Sequence, residues 1–396
     1  MSLTDTPNAS RLHIALFGRR NSGKSSLINA LTGQDTALVS DTPGTTTDLV
    51  SKAMEIQGIG PCLFIDTPGF DDEGELGELR ISRTLKAIEK TDIALLLCGD
   101  TTFSHEKEML TLLKEKNIPV IPVLNKIDIR ENSDHLATYI EEQCKIHPLL
   151  ISAKEKIGIE LIRQAILEKL PSDFGQQSIT GELVTENDLV LLVMPQDIQA
   201  PKGRLILPQV QTIRELLDKK CLVMTCTTDK FSATLQALAR PPKLIITDSQ
   251  VFKAIYEQKP KESELTSFSV LFAGYKGDIH YYVESAAVIE RLTESSRVLI
   301  AEACTHAPLS EDIGRVKLPR LLRKRIGENL QIDMVAGTDF PQDLTPYSLV
   351  IHCGACMFNR KYVLSRIERA REQHIPMTNY GVAIAFLNGI LDQIKY

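Results

Sequence analysis

Short apolar runs recur along the chain with helical patterns between them. From Arg11 to about Pro171 they are HIALF (13–17), CLFID (62–66), IALLLC (93–98), VIPVLN (120–125) and PLLIS (148–152). Strand-sized runs alternating with helical stretches predict a parallel α/β sheet. The turn-rich segment PSDFGQQSITGE (171–182) breaks the pattern. It resumes from Asp188 with LVLLVM (189–194), a helical stretch around 208–220, CLVMTC (221–226) and KLIIT (243–247). Beyond the charged EQKPKESE (257–264), FSVLFAG (268–274), VLIAEAC (298–304), IDMVAG (332–337) and SLVIHC (348–353) continue the strand series. The expectation is an α/β protein of three consecutive α/β domains, cut at 1–172, 180–264 and 265–396, the first with a mostly parallel sheet. The 396 residues, at roughly 150 per domain, allow two to three.

Composition adds mainly exclusions. With 43% hydrophobic and 24% charged residues the chain reads as an ordinary globular protein. A net charge of −6, from 45 basic and 51 acidic residues, argues against nucleic acid as a main partner. No apolar run approaches the roughly 18 residues that span a bilayer, and the start, MSLTDTPNAS, lacks the features of a signal peptide. A cytoplasmic protein with no membrane contact is expected, and in that reducing compartment its eight cysteines are buried fillers, thiols or metal ligands rather than disulfides.

The first block carries a phosphate-binding constellation. GRRNSGKS (18–25) fits G-x-x-x-x-G-K-S, follows a strand and opens a helix. Backbone N–H groups over Gly18, Asn21, Ser22, Gly23, Lys24, Ser25 and Ser26 can wrap phosphate oxygens; Lys24 adds a cation and the Ser25 hydroxyl a Mg²⁺ ligand. DTPG (66–69) ends the next strand, putting the Asp66 carboxylate near the Mg²⁺ shell and the Gly69 N–H near the γ-phosphate. In NKID (125–128), Asn125 ties the loop to the base site beside Lys126, and Asp128 can accept both the N1–H and the 2-amino protons of guanine. Adenine lacks the 2-amino group and carries an acceptor at N1, so it would leave that carboxylate unpaired. SAK (Ser152, Ala153, Lys154) follows a further strand, where G-domains offer a backbone N–H to the guanine O6. The nucleotide is therefore read as GTP or GDP.

This block resembles the TrmE-Era-like GTPases. PGTTTD (43–48) is similar to that branch's switch I segment, which assigns the Mg²⁺-sensing threonine to Thr46, with Thr45 the competitor because Thr47 replaces an Arg. Phe70 stands where Ras-like enzymes carry a water-orienting Gln, so intrinsic turnover is expected to be slow. Asn21 sits where potassium-activated members of this branch place a K⁺ ligand, so a monovalent cation there is expected to do the work of an arginine finger, the alternative being a simple turn residue. Lys24, Asn21, Thr46 and Asp66 are the residues assigned to hydrolysis.

The third block ends two strands with cysteines: CTH (304–306) and HCGAC (352–356). Strand ends on the carboxyl side of a parallel sheet share one edge, so these segments can converge. A Cys₃His zinc site with His306 or His352, a redox pair of Cys353 and Cys356, an iron-sulfur cluster on three thiolates and plain core thiols all fit. Cys62, Cys98, Cys144, Cys221 and Cys226 have no such spacing and read as fillers. The basic RVKLPRLLRKR (315–325) reads as a solvated helix face or a dock for an acidic partner.

C-x-H followed by H-C-x-x-C, behind an Era-like G-domain with the switch II string DTPGFDDEGELGELR (66–80), resembles the HydF family of FeFe-hydrogenase maturation GTPases along the whole chain. The resemblance implies a G-domain, a middle dimerisation domain and a C-terminal domain. It implies a 4Fe-4S cluster on Cys304, Cys353 and Cys356, with His306 or His352 left open as fourth ligand. It further implies a scaffold that delivers a transient dinuclear iron subcluster to apo FeFe-hydrogenase, a homodimer, and contact with two radical-SAM maturation enzymes. The rival is a TrmE-Era-like GTPase of RNA modification or ribosome assembly, which predicts a basic C-terminal module; the third block instead has mixed charge and no KH-type GXXG loop.

Overall fold

The computed structural model describes residues 6–33, 51–69, 83–99, 103–171, 174–175, 177–195, 205–303 and 312–396. The chain forms two compact units, Met1–Phe174 and Gly175–Tyr396. Among the described residues, no helix is long and apolar enough to cross a membrane.

The first unit is built on a six-stranded sheet in the order β2-β3-β1-β4-β5-β6. Its strands are β1 (Leu12–Gly18), β2 (Ser51–Ile56), β3 (Gly60–Asp66), β4 (Ile93–Cys98), β5 (Val120–Leu124) and β6 (Leu149–Leu150). All pairings are parallel except β2 with β3. β1, β4 and β5 are buried along their whole length, which is why they read as unbroken apolar runs. β2 escaped that reading because SKAMEI is a half-exposed antiparallel edge with only Ile56 buried. The helices Lys24–Thr32 and Ile159–Glu168 pack on one face, and Ser104–Glu115 and Ser133–Cys144 on the other.

The second unit holds two four-stranded parallel sheets. One runs β10-β9-β7-β8, from β7 (Leu189–Val193), β8 (Leu222–Cys226), β9 (Leu244–Thr247) and β10 (Glu264–Ser267). The other runs β12-β11-β13-β14, from β11 (Arg297–Glu302), β12 (Gln331–Ala336), β13 (Leu349–His352) and β14 (Met377–Asn379).

FSVLFAG is a helix rather than a strand. Residues Phe268–Lys276 are helical, started by the Ser267 side chain accepting from the Val270 N–H at 3.2 Å. Phe268, Val270, Leu271, Phe272 and Ala273 are all buried, and a run buried all round loses the periodicity that separates helix from strand. A cut at 264/265 would pass through β10, which pairs with β9. One apolar core joins the two sheets, containing Leu191, Val193 and Ile245 of the first and Leu299, Ala301 and Val350 of the second. The helix Phe268–Lys276 touches both sides of it, packing on Leu207–Asp218 and on Arg360–Glu372 and Tyr380–Leu387.

Candidate functional site

The phosphate loop leaves the carboxyl end of β1, the strand paired on both sides near the middle of its sheet. Two glycines make its path possible. A Cβ on Gly18 would lie 2.8 Å from Ser22 Oγ and 2.9 Å from the Leu97 carbonyl, and one on Gly23, at φ +94°, would lie 2.3 Å from Asn125 Nδ2. Asn21 also takes a left-handed conformation, with φ 60°. Lys24, only 8% exposed, donates to the carbonyls of Gly18 and Arg19 at 2.8 Å each, so its ammonium folds back over the loop.

Ser25 and Asp66 meet at the strand ends, Ser25 Oγ donating to Asp66 Oδ2 at 2.5 Å. Burial pushes the Asp66 carboxyl above the ordinary carboxylate range, against the pull of the Ser25 hydrogen bond and the Lys24 charge. Behind it the buried Thr67 donates to the Leu16 carbonyl at 2.6 Å and locks DTPG to β1.

Asn125 is the knot of the site. Its Oδ1 accepts from the N–H groups of Lys126 at 2.8 Å and Ala153 at 3.0 Å, and its Nδ2 donates to the Ser22 carbonyl at 3.1 Å. One amide thus joins the phosphate loop, NKID and SAK. Lys126 adds a bond from Nζ to the Asn21 carbonyl at 2.6 Å. Asp128 is exposed, and Ser152 Oγ donates to its Oδ1 at 2.6 Å, which holds the carboxyl below its usual range and leaves it ionised. Ser152 in turn accepts from the Glu155 N–H at 3.1 Å. Ser26 lies in the first turn of the helix Lys24–Thr32 and Gly69 and Lys154 lie on the DTPG and SAK loops, while Thr45, Thr46, Thr47 and Phe70 lie outside the described residues. Two participants carry no motif signal: Arg19 pairs with the buried Glu106 at 3.0 Å, and Arg130 donates to the carbonyls of Asn125 and Gly99 at 3.1 and 2.6 Å.

The cysteine segment lies at the carboxyl edge of the last sheet. The register Ala301↔His352 sets the ends of β11 and β13 side by side. Cys353 Sγ accepts from the Ala303 N–H at 3.0 Å and the Ala355 N–H at 3.4 Å. Cys304 and His306 lie outside the described residues, but Ala303, the chain neighbour of Cys304, is in contact with Cys353. Cys353 and Cys356 are both half-buried, and Ala355 between them has φ 51°. Burial pushes the Cys353 thiol up to about 11. Among the described residues no group of three His, Cys, Asp or Glu side chains is gathered for a metal.

His352 does not join the cysteines. It is buried, with Nε2 taking a hydrogen bond from Arg366 Nη1 at 2.8 Å and Nδ1 bonding the Cys353 carbonyl at 2.8 Å, so both ring nitrogens are occupied. Burial and the neighbouring guanidinium press its pKa down to about 3, which leaves it neutral, and a neutral ring has one acceptor and one donor to match these two bonds. Arg366 is 1% exposed and boxed by the rings of Phe340, Phe358 and Tyr362 at 4.6, 4.6 and 4.7 Å. Lys276, 3% exposed at the end of its helix, donates to the carbonyls of Ala355, Cys356 and Phe358 at 3.2, 3.2 and 2.6 Å.

The basic run 315–325 is partly internal: Arg315 donates to Glu302 at 3.1 Å and Lys317 to Gln250 at 2.8 Å. Of the filler cysteines, Cys62, Cys98, Cys144 and Cys221 are buried and Cys226 is half-buried.

Comparison with known proteins divides the chain in three. Residues 13–126 match the family described as 50S ribosome-binding GTPase, 179–277 the hydrogen maturase F dimerization domain, and 280–395 the hydrogen maturase F tetramerization domain. The tRNA modification GTPase MnmE of Nitrosomonas europaea is 39% identical over 174 residues, 43% of this chain and 37% of that protein. GTPase Der of Wolinella succinogenes is 36% identical over 188 residues, 44% and 39% of the two chains. This chain therefore spans under 40% of the length of these relatives. A solved structure of Aquifex aeolicus Era bound to GDP.AlF4- overlaps with a TM-score of 0.35 and 19% identity, over 57% of this chain and 98% of that one.

Proposed function

The chain belongs to the hydrogen maturase F family, and on that premise we propose that it is a GTP-hydrolysing scaffold of hydrogenase maturation that carries a 4Fe-4S cluster and hands a dinuclear iron subcluster to apo FeFe-hydrogenase. The observation that supports the scaffold reading is the meeting of β11 and β13 at one sheet edge, where Cys353, three residues before Cys356, stands beside the residue preceding Cys304. A thiolate set fed by backbone N–H groups suits a soft iron-sulfur guest. Cys304, Cys353 and Cys356 would hold such a cluster and would leave one iron without a cysteine ligand, open to an exchangeable one. His306 is the fourth-ligand candidate that remains, since the His352 nitrogens are spent elsewhere.

In the first unit, loop N–H groups and Lys24 hold the β- and γ-phosphates, Ser25 and Thr46 would hold Mg²⁺ with Asp66 behind them, and Asp128 reads guanine. Mg²⁺ supplies neutralisation of the charge that develops on the transferred phosphoryl group. With Phe70 in place of a Gln, the Asn21 side chain would hold K⁺, which would supply positive charge at the phosphates. Exchanging K⁺ for Na⁺ at constant ionic strength is then expected to slow GTP turnover about tenfold or more, read as phosphate release; equal rates in both salts count against Asn21. The family descriptions point to assembly between copies, and we take a homodimer as the working unit, with two radical-SAM enzymes and the apo-hydrogenase as protein partners. In this reading the chain has three functional parts, the second ending after Lys276 rather than within β10.

Elemental analysis of anaerobically purified full-length protein tests the proposal most directly. Iron with acid-labile sulfide is expected; zinc without sulfide overturns the cluster. RNA that copurifies with a steep salt dependence would turn the reading toward the tRNA modification GTPases that the first unit is similar to.

A further inference from the structure

Two buried cations flank the Cys353–Phe358 loop, and among the described residues neither has a carboxylate partner. Lys276 spends its ammonium on three loop carbonyls, and Arg366 on His352 Nε2, the Gly337 carbonyl at 2.6 Å and Tyr362. Carbonyls and aromatic faces carry partial charges only, whereas taking a full cation out of water costs several kcal/mol unless a full negative charge stands near it. Burial presses the Lys276 ammonium down to about 8, and among the described residues the ionisable groups whose charge opposes that loss are the thiols of Cys356 and Cys353. The clasp is also reciprocal: Arg360, just past the loop, donates back to the carbonyls of Tyr275 and Gly277 at 3.2 and 3.1 Å. The end of the helix Phe268–Lys276 is thus stitched to the cysteine loop from both directions, across the junction between the two sheets of this unit.

We propose that Lys276 is a positioning and charge-compensating residue of the cysteine site, holding the Cys353–Cys356 loop by its carbonyls and supplying the positive charge that an anionic thiolate-bound metal cluster needs in a buried setting. This rests on the cluster reading above. A cation fixed beside such a cluster favours its reduced form, which carries one more negative charge. Removing the cation therefore lowers the midpoint potential, a shift that loss of packing alone does not dictate.

The test uses the full chain, reconstituted anaerobically with ferrous iron and sulfide, in four forms: unchanged, Lys276→Met, Lys276→Gln and Lys276→Arg. Iron per chain is measured, and the cluster is titrated with dithionite under paramagnetic-resonance detection. Lys276→Gln keeps an N–H donor without the charge and is expected to retain iron while the reduced-to-oxidised ratio at a fixed potential falls about tenfold, ~59 mV for a one-electron couple. Lys276→Met is expected to lose iron as well, and Lys276→Arg to keep both properties. An unchanged potential in Lys276→Gln overturns the charge role, and full iron content in Lys276→Met overturns the clasp. Should Lys276→Met fail to fold, Lys276→Gln against Lys276→Arg decides alone. Absence of iron in the unchanged chain overturns the cluster reading itself and this inference with it, whereas iron in the unchanged chain with indifferent variants overturns this inference only.

Discussion

Recognition of the base through a carboxylate makes Asp128→Asn the substitution expected to cost the most nucleotide affinity: GTP should bind roughly a hundredfold more weakly or worse, and xanthosine triphosphate should become the better ligand. Guanine presents two donors, N1–H and the 2-amino group, and an ionised carboxylate accepts both. An amide accepts one and turns its own N–H toward the other, leaving two donors face to face. Xanthine carries a carbonyl at that position, so the amide's donor and acceptor both find partners. The exchange is cleanly readable because Ser152 holds the side chain at 2.6 Å and is itself fixed by the Glu155 N–H. Competition against a fluorescent GDP analogue measures it, and unchanged GTP affinity in Asp128→Asn would remove Asp128 from the base site.

The second large effect is at the other end of the chain. Replacing Cys304, Cys353 and Cys356 together by Ser is expected to remove nearly all iron and sulfide retained after anaerobic reconstitution, while GDP affinity stays as it was. Serine preserves an acceptor for the Ala303 and Ala355 N–H groups, so the loop keeps its local bonds, but a hard hydroxyl does not replace a thiolate on iron. A 4Fe-4S signal surviving in this variant would falsify the ligand assignment.

The two sites were unequally legible. The nucleotide loops announce themselves because each does its chemistry with residues a few positions apart at the end of a buried strand, and the strands are visible as apolar runs. Even so, motif spacing did not disclose that Asn125 is a tie between three loops, nor that Arg19 is held by Glu106, whose partner lies 87 positions away. The cysteine edge was legible in its thiols and misleading in its neighbours. His352 stands beside Cys353 in sequence, yet its ring lies in the pocket of Arg366, because successive residues of a strand point to opposite faces. Arg366 itself sits in a charge-dense helix, RKYVLSRIERARE, that carries no motif, and Lys276 ends a helix whose apolar run reads as a strand.

Taken alone, the amino-acid sequence determined the α/β class, the strand ends on which the GTP motifs stand, and the pairing of a G-domain with a C-terminal cysteine site. These are local or periodic properties, fixed by residues that neighbours in the chain can reach. Tertiary structure alone decided that 268–276 is a helix, that one core joins the second and third sheets, and that the cysteine loop is clasped by a lysine about 80 positions upstream. Burial on all sides erases periodicity, and which charges are buried together depends on contacts between distant segments, so neither is written in any stretch of the chain short enough to be read as a pattern.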